Sequence, residues 1–434
     1  MIKLTKGLDL PIAGNPASNL LPENNISRIG IRGFDFSNLK PTMLINVGDK
    51  VRSGQKLLEN KRNPGQFITA PISGEVVEIN RGEKRKFLSL VIEQDNNLEP
   101  IEFNQTGSDL LMESGFINAF RTRPFNRVPD IGSEPNMIFV NACNTSPLSI
   151  DPNEIIKISQ TEFDNGLQTL LEIFNCQIVC SYSDSDFLTT NNGISYQQFT
   201  GPHPAGLTST HIHFLSPVSL NKTHWTIGYQ DIITLGRLVQ TKLLNHERII
   251  SVGGEGFIET GLVKTTLGAD LNELTAGNTK ENSRLISGSV LYGITATDPN
   301  QYLGYYDNQI SCIPDEANDI FMNWAMPGAS LHSKMNTFLS AFLSPKKYIF
   351  NTSLNGGHRA IVPLPAYDEV MPLNILSTQL LKALATYDIE LAIKLGALEL
   401  APEDMGLLSY VCPSKYDYQS LLQENLDLIY KEFK

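Results

Sequence analysis

Short apolar runs broken by turn residues fill the first part of the chain, near residues 36–95. The runs lie at residues 41–57 and 70–79 and are punctuated by Val-Gly-Asp and Ser-Gly turns. Short β-rich runs with this punctuation are typical of paired strands joined by tight turns. The pattern therefore predicts a small sandwich of β-hairpins.

A linker and one helix are predicted after the sandwich. Residues 95–110 are polar and rich in turn formers. Thr106 or Ser108 is placed to cap a helix that continues through Phe120. Its packing face would be formed by Leu110, Leu111, Ser114 and Ile117.

Strand-like and helix-like patterns alternate from about residue 136 to 252. The strand-like runs are short and apolar, and the segments between them have helical apolar spacing, with strands at 137–140, 177–180 and 248–252 and helices at 161–174 and 231–244. Regular alternation of this kind favours a parallel sheet with helices on its faces. We therefore predict a Rossmann-like, doubly wound α/β domain.

The C-terminal pattern is helical. Apolar residues recur there at helical spacing in two stripes, Leu376, Leu380, Leu381 and Leu384 in the first and Leu422, Leu426 and Ile429 in the second. Pro402 followed by two acids makes a favourable helix start. The last 65 or so residues are therefore predicted to form a small helical bundle.

Two regions resemble known small folds. Residues 36–95 resemble the biotinyl/lipoyl carriers, a barrel-sandwich hybrid fold that presents a modifiable lysine at a hairpin tip. Here residues 63–65 form the tip, and Lys61 is expected to be displaced into the strand, so we interpret the region as a structural module. Residues 246–312 look like a β-grasp module of the SLBB type, followed by a β-rich stretch and loops to about residue 365.

The expected fold class is thus α/β multidomain, α+β overall, in four parts. These are a barrel-sandwich hybrid with its N-terminal segment, a linker helix with the Rossmann-like domain, the SLBB-like β-grasp domain with its β-rich continuation, and a C-terminal helical bundle. The predicted boundaries are 1–95, 96–245, 246–365 and 366–434.

Composition narrows the functional classes. The chain has 434 residues, of which 41% are hydrophobic and 18% charged, as in globular proteins of several domains. Its net charge of −12 disfavours nucleic acid and direct adsorption to anionic lipid, so a protein partner would have to hold it at a membrane. Without a transmembrane-length apolar run or a signal-peptide core, the protein is expected to be cytoplasmic.

Candidate metal ligands are few. No Cys-x-x-Cys pair occurs among the five cysteines, which argues against an iron–sulfur cluster held by this chain alone. His211 and His213 would face one side if they lay on a strand, and with His203 and His224 they could build a metal site. No acidic or cysteine ligand is spaced to complete such a site, so we favour hydrogen-bonded structural histidines.

Phosphate-binding and nucleophilic motifs are also weak. Gly253, Gly254 and Gly256 lead into a strand instead of the helix that a dinucleotide cradle requires, so we favour a turn. Cys143 ends a predicted strand, where α/β active sites often lie, but it has no assigned base. We interpret it as a packing residue.

Several runs together resemble the A subunits of the sodium-translocating NADH:quinone reductase, in order and spacing, over essentially the whole chain. The most specific are residues 6–12, 40–43, 121–125, 201–206 (Gly-Pro-His-Pro-Ala-Gly), 228–231 (Gly-Tyr-Gln-Asp), 370–373 and 411–416. The resemblance implies a six-subunit complex that oxidises NADH, reduces ubiquinone and exports sodium. It also implies a peripheral position on the cytoplasmic face of the bacterial inner membrane, against the membrane-embedded B subunit.

The family is similar in domain order to the flavin-bearing NADH-binding subunit of respiratory complex I and to the Rnf C subunit. Their flavin loop would fall at residues 115–124, where Phe120, Arg121 and Arg123 stand in place of glycines. Their cysteine cluster would fall near Cys412, a single thiol. We therefore expect no cofactor in this chain, and flavins, iron–sulfur and ubiquinone to be used by other subunits.

Quinone binding has been connected with the A subunits of the family as well as with the B subunits. The densest run of unusual residues is the candidate quinone- or partner-facing loop, comprising Gly201, His203, Gly206, His211, His213 and Tyr229. A histidine there could donate a hydrogen bond to a quinone carbonyl. No other catalytic, cofactor-binding or metal-binding residue is predicted.

Two other functions remain open on the sequence. One is a stand-alone flavin- or nucleotide-dependent oxidoreductase of the complex I NADH-subunit or Rnf C type. The other is a biotin- or lipoyl-type carrier modified near Lys61.

Overall fold

The computed structural model describes residues 1–184, 191–316, 327–328, 331–334, 338–343 and 347–434. Four sheets and a set of C-terminal helices make up this part of the chain. This confirms the mixed α/β class predicted from the sequence.

Seven strands form the N-terminal sandwich. After β1 (Ile2–Lys3) they are β2 (Arg28–Arg32), β3 (Pro41–Met43), β4 (Lys50–Val51), β5 (Lys56–Asn60), β6 (Phe67–Thr69), β7 (Gly74–Arg81) and β8 (Phe87–Gln94). One sheet has the order β2-β8-β7-β4 and the other β3-β5-β6. Val51, Leu57 and Leu90 are fully buried in their shared core.

Lys61 does not lie in a strand, as was expected, but in the turn after β5. The Asn63 N–H donates back to the Asn60 carbonyl at 3.0 Å, which closes the turn directly after the last strand residue. The expectation was therefore wrong by one position in the hairpin.

The second region is built around a six-stranded sheet. Its elements are α1 (Gly107–Glu113), β9 (Arg121–Arg123), β10 (Met137–Ala142), α2 (Pro152–Ile158), α3 (Gln160–Ile173), β11 (Gln177–Tyr182), β12 (Ile194–Thr200), α4 (Thr208–Leu215), β13 (His224–Gly228) and α5 (Tyr229–Thr241). The strand order is β1-β12-β11-β10-β13-β9, and only β9 is antiparallel to its neighbour. Strand β1 thus joins a sheet that is almost 200 residues away in sequence.

Helices cover both faces of this sheet. Successive residues of a strand point to opposite faces, and β10 shows this clearly. Ile138 and Val140 pack into the core that α3 and α5 cover, whereas Phe139 packs with Ile212 of α4 on the other side. The predicted parallel sheet with helices is therefore present.

Helix α1 is shorter than predicted. It ends at Glu113, and residues 116–119 form a separate 3₁₀ helix. Gly115 between them has a φ of +73°, a left-handed conformation that ends an α-helix and favours glycine. Thr106 is the N-cap residue, and its side chain makes no capping hydrogen bond.

The third region is a five-stranded sheet with one short helix. It contains β14 (Glu247–Gly253), β15 (Gly261–Thr266), α6 (Leu271–Leu274), β16 (Ser283–Ser287), β17 (Ile294–Thr295) and β18 (Gln309–Pro314) in the order β15-β14-β18-β16-β17. The described residues between 315 and 364 carry one 3₁₀ helix and one isolated bridge, where a β-rich stretch was expected.

Helices occupy the C-terminal residues. They are α7 (Pro365–Val370), α8 (Ser377–Thr386), α9 (Ile389–Lys394), α10 (Gly406–Val411) and α11 (Tyr418–Phe433). Most of the predicted apolar stripes are buried, including Leu380, Leu384, Leu422 and Leu426. Leu376 is the exception at 60% exposed, because it precedes α8 as its N-cap residue.

Candidate functional site

The carboxyl ends of four parallel strands meet at one edge of the six-stranded sheet. Strands β11 and β12 extend the sheet on one side of β10, and β13 lies on the other side. The strand order therefore reverses between β10 and β13. Open α/β sheets bind their ligands in the crevice at such a switch point, so we take this edge as the candidate site.

Residues of this chain fill the crevice. The Asn141 side-chain amide donates to the Gly206 carbonyl and to Thr208 Oγ1, both at 3.0 Å. The Gly206 N–H donates to Thr145 Oγ1 at 2.9 Å. A Cβ on Gly206 would lie 2.5 Å from the Thr145 nitrogen, so the loop after β12 presses directly against the loop after β10.

His203 holds the filled crevice to the N-terminal segment. Its side chain is 1% exposed, and its Nδ1 lies 3.1 Å from Thr145 Oγ1. Its backbone N–H donates to Asp9 at 2.9 Å, and its carbonyl accepts from Leu8 at 2.8 Å. Burial lowers the pKa of His203 to about 4, although a hydrogen bond that the ring donates to the Thr145 backbone opposes the shift.

His211 and His213 do not face the same side. They lie on helix α4, and two residues on a helix are about 200° apart around its axis. His211 is fully buried, stacks on Phe199 with 4.2 Å between ring centroids, and places Nε2 2.9 Å from the Ala205 carbonyl. The strand-based prediction of a shared face is therefore wrong.

His213 connects this region to the C-terminal helices. Its Nδ1 lies 2.7 Å from Glu399 Oε2, and its Nε2 accepts the Asn374 N–H at 3.2 Å. Because Nε2 accepts, this geometry fits a neutral ring that donates from Nδ1 to the carboxylate. The His213 side chain is 16% exposed.

The two remaining candidates differ in exposure. Gly201 is exposed with a φ of +132°, and a Cβ there would lie 2.5 Å from the Leu4 carbonyl. Tyr229 is 4% exposed, and burial raises its pKa to about 12. The candidate loop thus divides into four buried residues (His203, Gly206, His211 and Tyr229) and two that reach the surface (Gly201 and His213). The quinone- or partner-facing role of the loop stays a prediction.

Residues 115–124, which the resemblance predicts to fall at the position of a flavin loop, are packed with aromatic rings. Phe120 is fully buried, and its ring lies 6.3 Å from Phe116, 5.7 Å from Phe174 and 5.5 Å from Trp225. The Arg121 guanidinium lies 4.6 Å above the ring of Tyr306. The aromatic contacts of Phe120 belong to the core under the six-stranded sheet, whereas Arg121 is only partly buried.

A buried charge cluster beside this segment was not predicted. Arg123 is 1% exposed, and its Nη2 lies 2.9 Å from Glu403 Oε1 while Nη1 donates to Asn126 at 2.7 Å. Arg121 reaches the other Glu403 oxygen at 3.5 Å. Asp404 beside it accepts the Ala401 N–H at 2.7 Å, and burial together with the Glu403 charge raises its pKa to about 7. The cluster joins β9 to the C-terminal helices.

The glycine and cysteine motifs have structural roles. Gly254 donates its N–H to the Gly14 carbonyl at 2.8 Å and Gly256 to the Cys312 carbonyl at 3.0 Å, so these amides are not free for a phosphate. Cys143 is buried, which raises the pKa of its thiol. Cys412 packs between the hydroxyls of Tyr367 and Tyr418 at 3.2 and 3.3 Å.

Two cavities of the described part of the chain differ in size and openness. A cavity of about 20 Å³ lies between the N-terminal sandwich and the five-stranded sheet, lined by residues that include Arg32, Asn118 and His246, and has room for about one water. A groove of about 350 Å³ with mostly polar walls, including Thr275, Arg284 and Asp315, lies on the five-stranded sheet region. In the ranges that the structure describes, no three His, Cys, Asp or Glu side chains are grouped to hold a metal.

The buried histidines predict acid sensitivity. Burial lowers the pKa of His211 to about 4, whereas the unfolded chain has a histidine pKa of about 6.5. Between these values the unfolded state binds more protons than the folded state. The contribution of His211 to the free energy of unfolding is therefore fully present above about pH 6.5 and decreases as the pH falls toward 4. His203 and His224 share this direction.

We call the decrease in the free energy of unfolding between pH 7 and pH 4 the acid limb. Replacing His211 with glutamine, which binds no proton in this range, should reduce this decrease by up to about 3 kcal/mol. Urea unfolding at several pH values measures this limb. Exposed His358 replaced by glutamine is the control and should leave it unchanged. An unaltered limb for His211→Gln would contradict the assignment of a buried neutral ring.

Three domain models of one family match successive parts of the chain. The NqrA N-terminal barrel-sandwich hybrid domain matches residues 2–95, the NqrA second alpha/beta domain residues 104–243, and the family's SLBB model, described as the NQRA C-terminal domain, residues 249–298. The A subunit of the Na(+)-translocating NADH-quinone reductase of Neisseria meningitidis serogroup B is 44% identical over 447 residues, covering 100% of both chains. The chain belongs to this family of A subunits.

Other members agree with this placement. The A subunit of Haemophilus influenzae is 44% identical over 448 residues, again covering 100% of both chains. That of Rhodopirellula baltica is 43% identical over 447 residues, covering 99% of this chain and 98% of the relative. The resemblance noted in the sequence is therefore confirmed, as are the barrel-sandwich, α/β and SLBB-type regions at the level of the family's domains.

Among solved structures, an NAD+-reducing [NiFe]-hydrogenase is 11% identical with a TM-score of 0.36, covering 68% of this chain and 57% of that chain. A similarity this weak supports no conclusion about the fold or the function of this chain.

Proposed function

We propose that the chain is the peripheral A subunit of a Na+-translocating NADH-quinone reductase and that it organises other subunits without holding a redox group itself. In this proposal it lies on the cytoplasmic face of the bacterial inner membrane against the membrane-embedded B subunit. The complex couples NADH oxidation and ubiquinone reduction to Na+ export. Family membership over the full length of several relatives supports the role in the reductase.

The observation that best supports the organising role is that residues of this chain fill the crevice. In an α/β domain of this topology a nucleotide or flavin would lie at the switch point between β10 and β13. There the backbones at Gly206 and Thr145 are in direct contact. The side-chain amide of Asn141 donates hydrogen bonds to two oxygens of the facing loop. A planar cofactor would have to displace these bonds and expose His203.

The aromatic packing of residues 115–124 supports the same proposal. Phe116 and Phe120 belong to the core under the six-stranded sheet, and Arg123 is ion-paired to the C-terminal helices. Opening a flavin pocket here would disrupt the packing of the core and would leave the buried Arg123 guanidinium without its partner. The alternative of a stand-alone flavin-dependent oxidoreductase is therefore disfavoured.

At the candidate loop, a contact with quinone or with the B subunit would involve the exposed part. Gly201 reaches the surface, and the His213–Glu399 pair is partly accessible. Among the residues that the structure describes, no helix is long and apolar enough to cross a membrane. We propose that attachment to the complex uses the folded surface.

Complementation of the reductase tests the proposal. Membranes from cells that lack this chain should lose Na+-stimulated NADH-to-quinone electron transfer, and adding the purified chain should restore it. The purified chain should also be recovered with the other subunits from detergent-solubilised membranes. Full activity without the chain, or recovery of the chain only as a free monomer, would contradict the proposal.

A further inference from the structure

One stretch of the chain has a charge opposite to that of the whole protein. Residues 320–367 contain four Lys and Arg and no Asp or Glu, a local charge of +4 in a chain of net charge −12. At the average frequency of 46 acidic residues in 434, a stretch of 48 residues would hold about five. The absence of carboxylates is therefore specific to this stretch.

The same stretch exposes an unusual number of large apolar side chains. We use the name cationic segment for its described residues 338–343 and 347–362. Six exposed hydrophobic side chains lie here: Leu339, Phe342, Leu343, Ile349, Leu354 and Val362, with exposures from 44% to 83%. The six fall within the 25 residues from 338 to 362, and elsewhere in the described chain no span of 25 residues exposes more than three.

The segment is fixed to the body of the protein by its other side. Tyr348 exchanges backbone hydrogen bonds with Pro11 and Ala13 at 2.7 and 2.9 Å. The ring of Phe350 lies 6.3 Å from that of Tyr410. Ile349 between them is 65% exposed, as expected for extended backbone whose successive side chains point to opposite sides. The exposed apolar residues are thus presented by an anchored backbone.

Basic residues accompany the apolar ones. Lys347 and Arg359 are exposed, and within the described ranges no ion pair engages either of them. The segment itself contains no acidic residue. Phenylalanine and leucine next to unpaired cations, without any carboxylate, are the composition that binds at the headgroup boundary of an anionic bilayer.

We propose that the cationic segment contacts the anionic lipid surface of the membrane directly. Its exposed apolar residues enter the headgroup boundary, and Lys347 and Arg359 neutralise lipid phosphates. The net charge of −12 does not prevent this contact, because salt screens charges that lie more than about 8 Å away. The net negative charge of the whole chain favours a protein partner at a membrane. In this proposal, lipid contact by the cationic segment adds to that attachment.

Lipid explains the segment better than a protein partner does. Leu339 and Phe342 lie in a single-turn 3₁₀ helix and the other exposed apolar residues lie on irregular backbone. None of them lines the cavities described above, whereas a protein interface core needs a shaped partner surface. Exclusion of every carboxylate over 48 residues is what a uniformly negative surface would favour. Occupation of the segment by a membrane protein of the complex is an outcome that the test distinguishes.

Co-sedimentation of the purified full chain with vesicles tests the proposal. The chain should bind vesicles of equimolar phosphatidylcholine and phosphatidylglycerol, bind phosphatidylcholine alone much more weakly, and dissociate at high salt. The double variant Lys347→Gln/Arg359→Gln should weaken binding about 25-fold, from about fivefold for each basic residue at the surface. The variant Phe342→Ser/Ile349→Ser should also weaken it.

Matched variants elsewhere on the surface serve as controls. Lys382→Gln/Lys394→Gln removes two exposed charges from α8 and α9, and Phe34→Ser removes a side chain that is 69% exposed. Both should bind as the unaltered chain does, and circular dichroism should show every variant folded. These positions lie outside the candidate site and its charge cluster.

Two results would overturn the proposal. One is a wild-type chain that does not distinguish anionic from neutral vesicles, or segment variants that bind as tightly as the controls. The other is that no form of the chain binds vesicles, while the segment variants are no longer recovered with the solubilised complex. That result would assign the segment to a protein contact. The vesicle assay contains no other protein of the complex, so its failure leaves the proposed role in the reductase untouched.

Discussion

Replacing Arg123 with methionine is expected to lower the free energy of unfolding by about 3–5 kcal/mol. The guanidinium is 1% exposed and is the closer of two cations to the Glu403 carboxylate, which is 20% exposed. Methionine preserves much of the volume but removes the charge. Glu403 then keeps only Arg121 at 3.5 Å, and Asn126 loses its donor. A largely buried carboxylate that loses its partner costs more than the pair contributes, because the desolvation of the carboxylate is no longer fully offset.

Urea unfolding of the purified chain measures this loss. Arg284→Met is the matched control, because Arg284 also lies 2.9 Å from a carboxylate, Asp315, but both side chains are about 40% exposed. Exposed pairs contribute about 0–1 kcal/mol, so the control should change little. Equal losses for the two variants would show that the Arg123 cluster is not a buried, mutually dependent set of charges.

Replacing Gly236 with alanine should destabilise the protein by about 2–3 kcal/mol, although alanine is ordinarily the better helix former by about 1 kcal/mol. Helices α3 and α5 cross with their backbones in contact. A Cβ on Gly236 would lie 1.9 Å from the Glu162 carbonyl, and one on Gly166 would lie 2.1 Å from the Ile232 carbonyl. The neighbouring atoms belong to a helix backbone and cannot rotate away, so the steric cost outweighs the gain in helix propensity. The helices must separate and loosen the core beneath them.

Thermal and urea unfolding of Gly236→Ala test the crossing. Gly357→Ala is the control, since no atom lies within 4 Å of a Cβ there and its backbone is not left-handed. It should change stability by less than about 0.5 kcal/mol. A neutral or stabilising Gly236→Ala would mean that α3 and α5 are not in backbone contact.

The sequence predicted elements whose pattern is local and long. Helix α3 and strands β10 and β11 were placed within a few residues, because fourteen helical residues or a run of apolar strand residues carry a strong periodicity. Helix α4 was not predicted. Its eight residues contain alternating histidines, and Ile212 is held by tertiary contacts with Phe139 and Val179. Tertiary packing decided the structure where the local pattern was short.

The contents of the candidate site were predicted only in part. The loop around His203 stood out by its prolines and glycines, but its burial depends on Asp9 and Thr145, which are distant in sequence. The pair of Arg123 and Glu403 spans 280 residues. The arginines at 121 and 123 mark one half of this pair, but the two acids after Pro402 indicate by themselves only a helix start. Contacts of this range depend on how the regions pack together.

We propose that this chain fills, with its own side chains, the pockets in which related proteins would hold prosthetic groups. The most direct measurement is the visible absorption spectrum of the purified, folded chain, together with its iron and flavin content. We expect no flavin or iron–sulfur absorption and less than stoichiometric iron and flavin, in a chain that still restores the reductase. One flavin or one iron–sulfur cluster per chain, retained through purification, would contradict it.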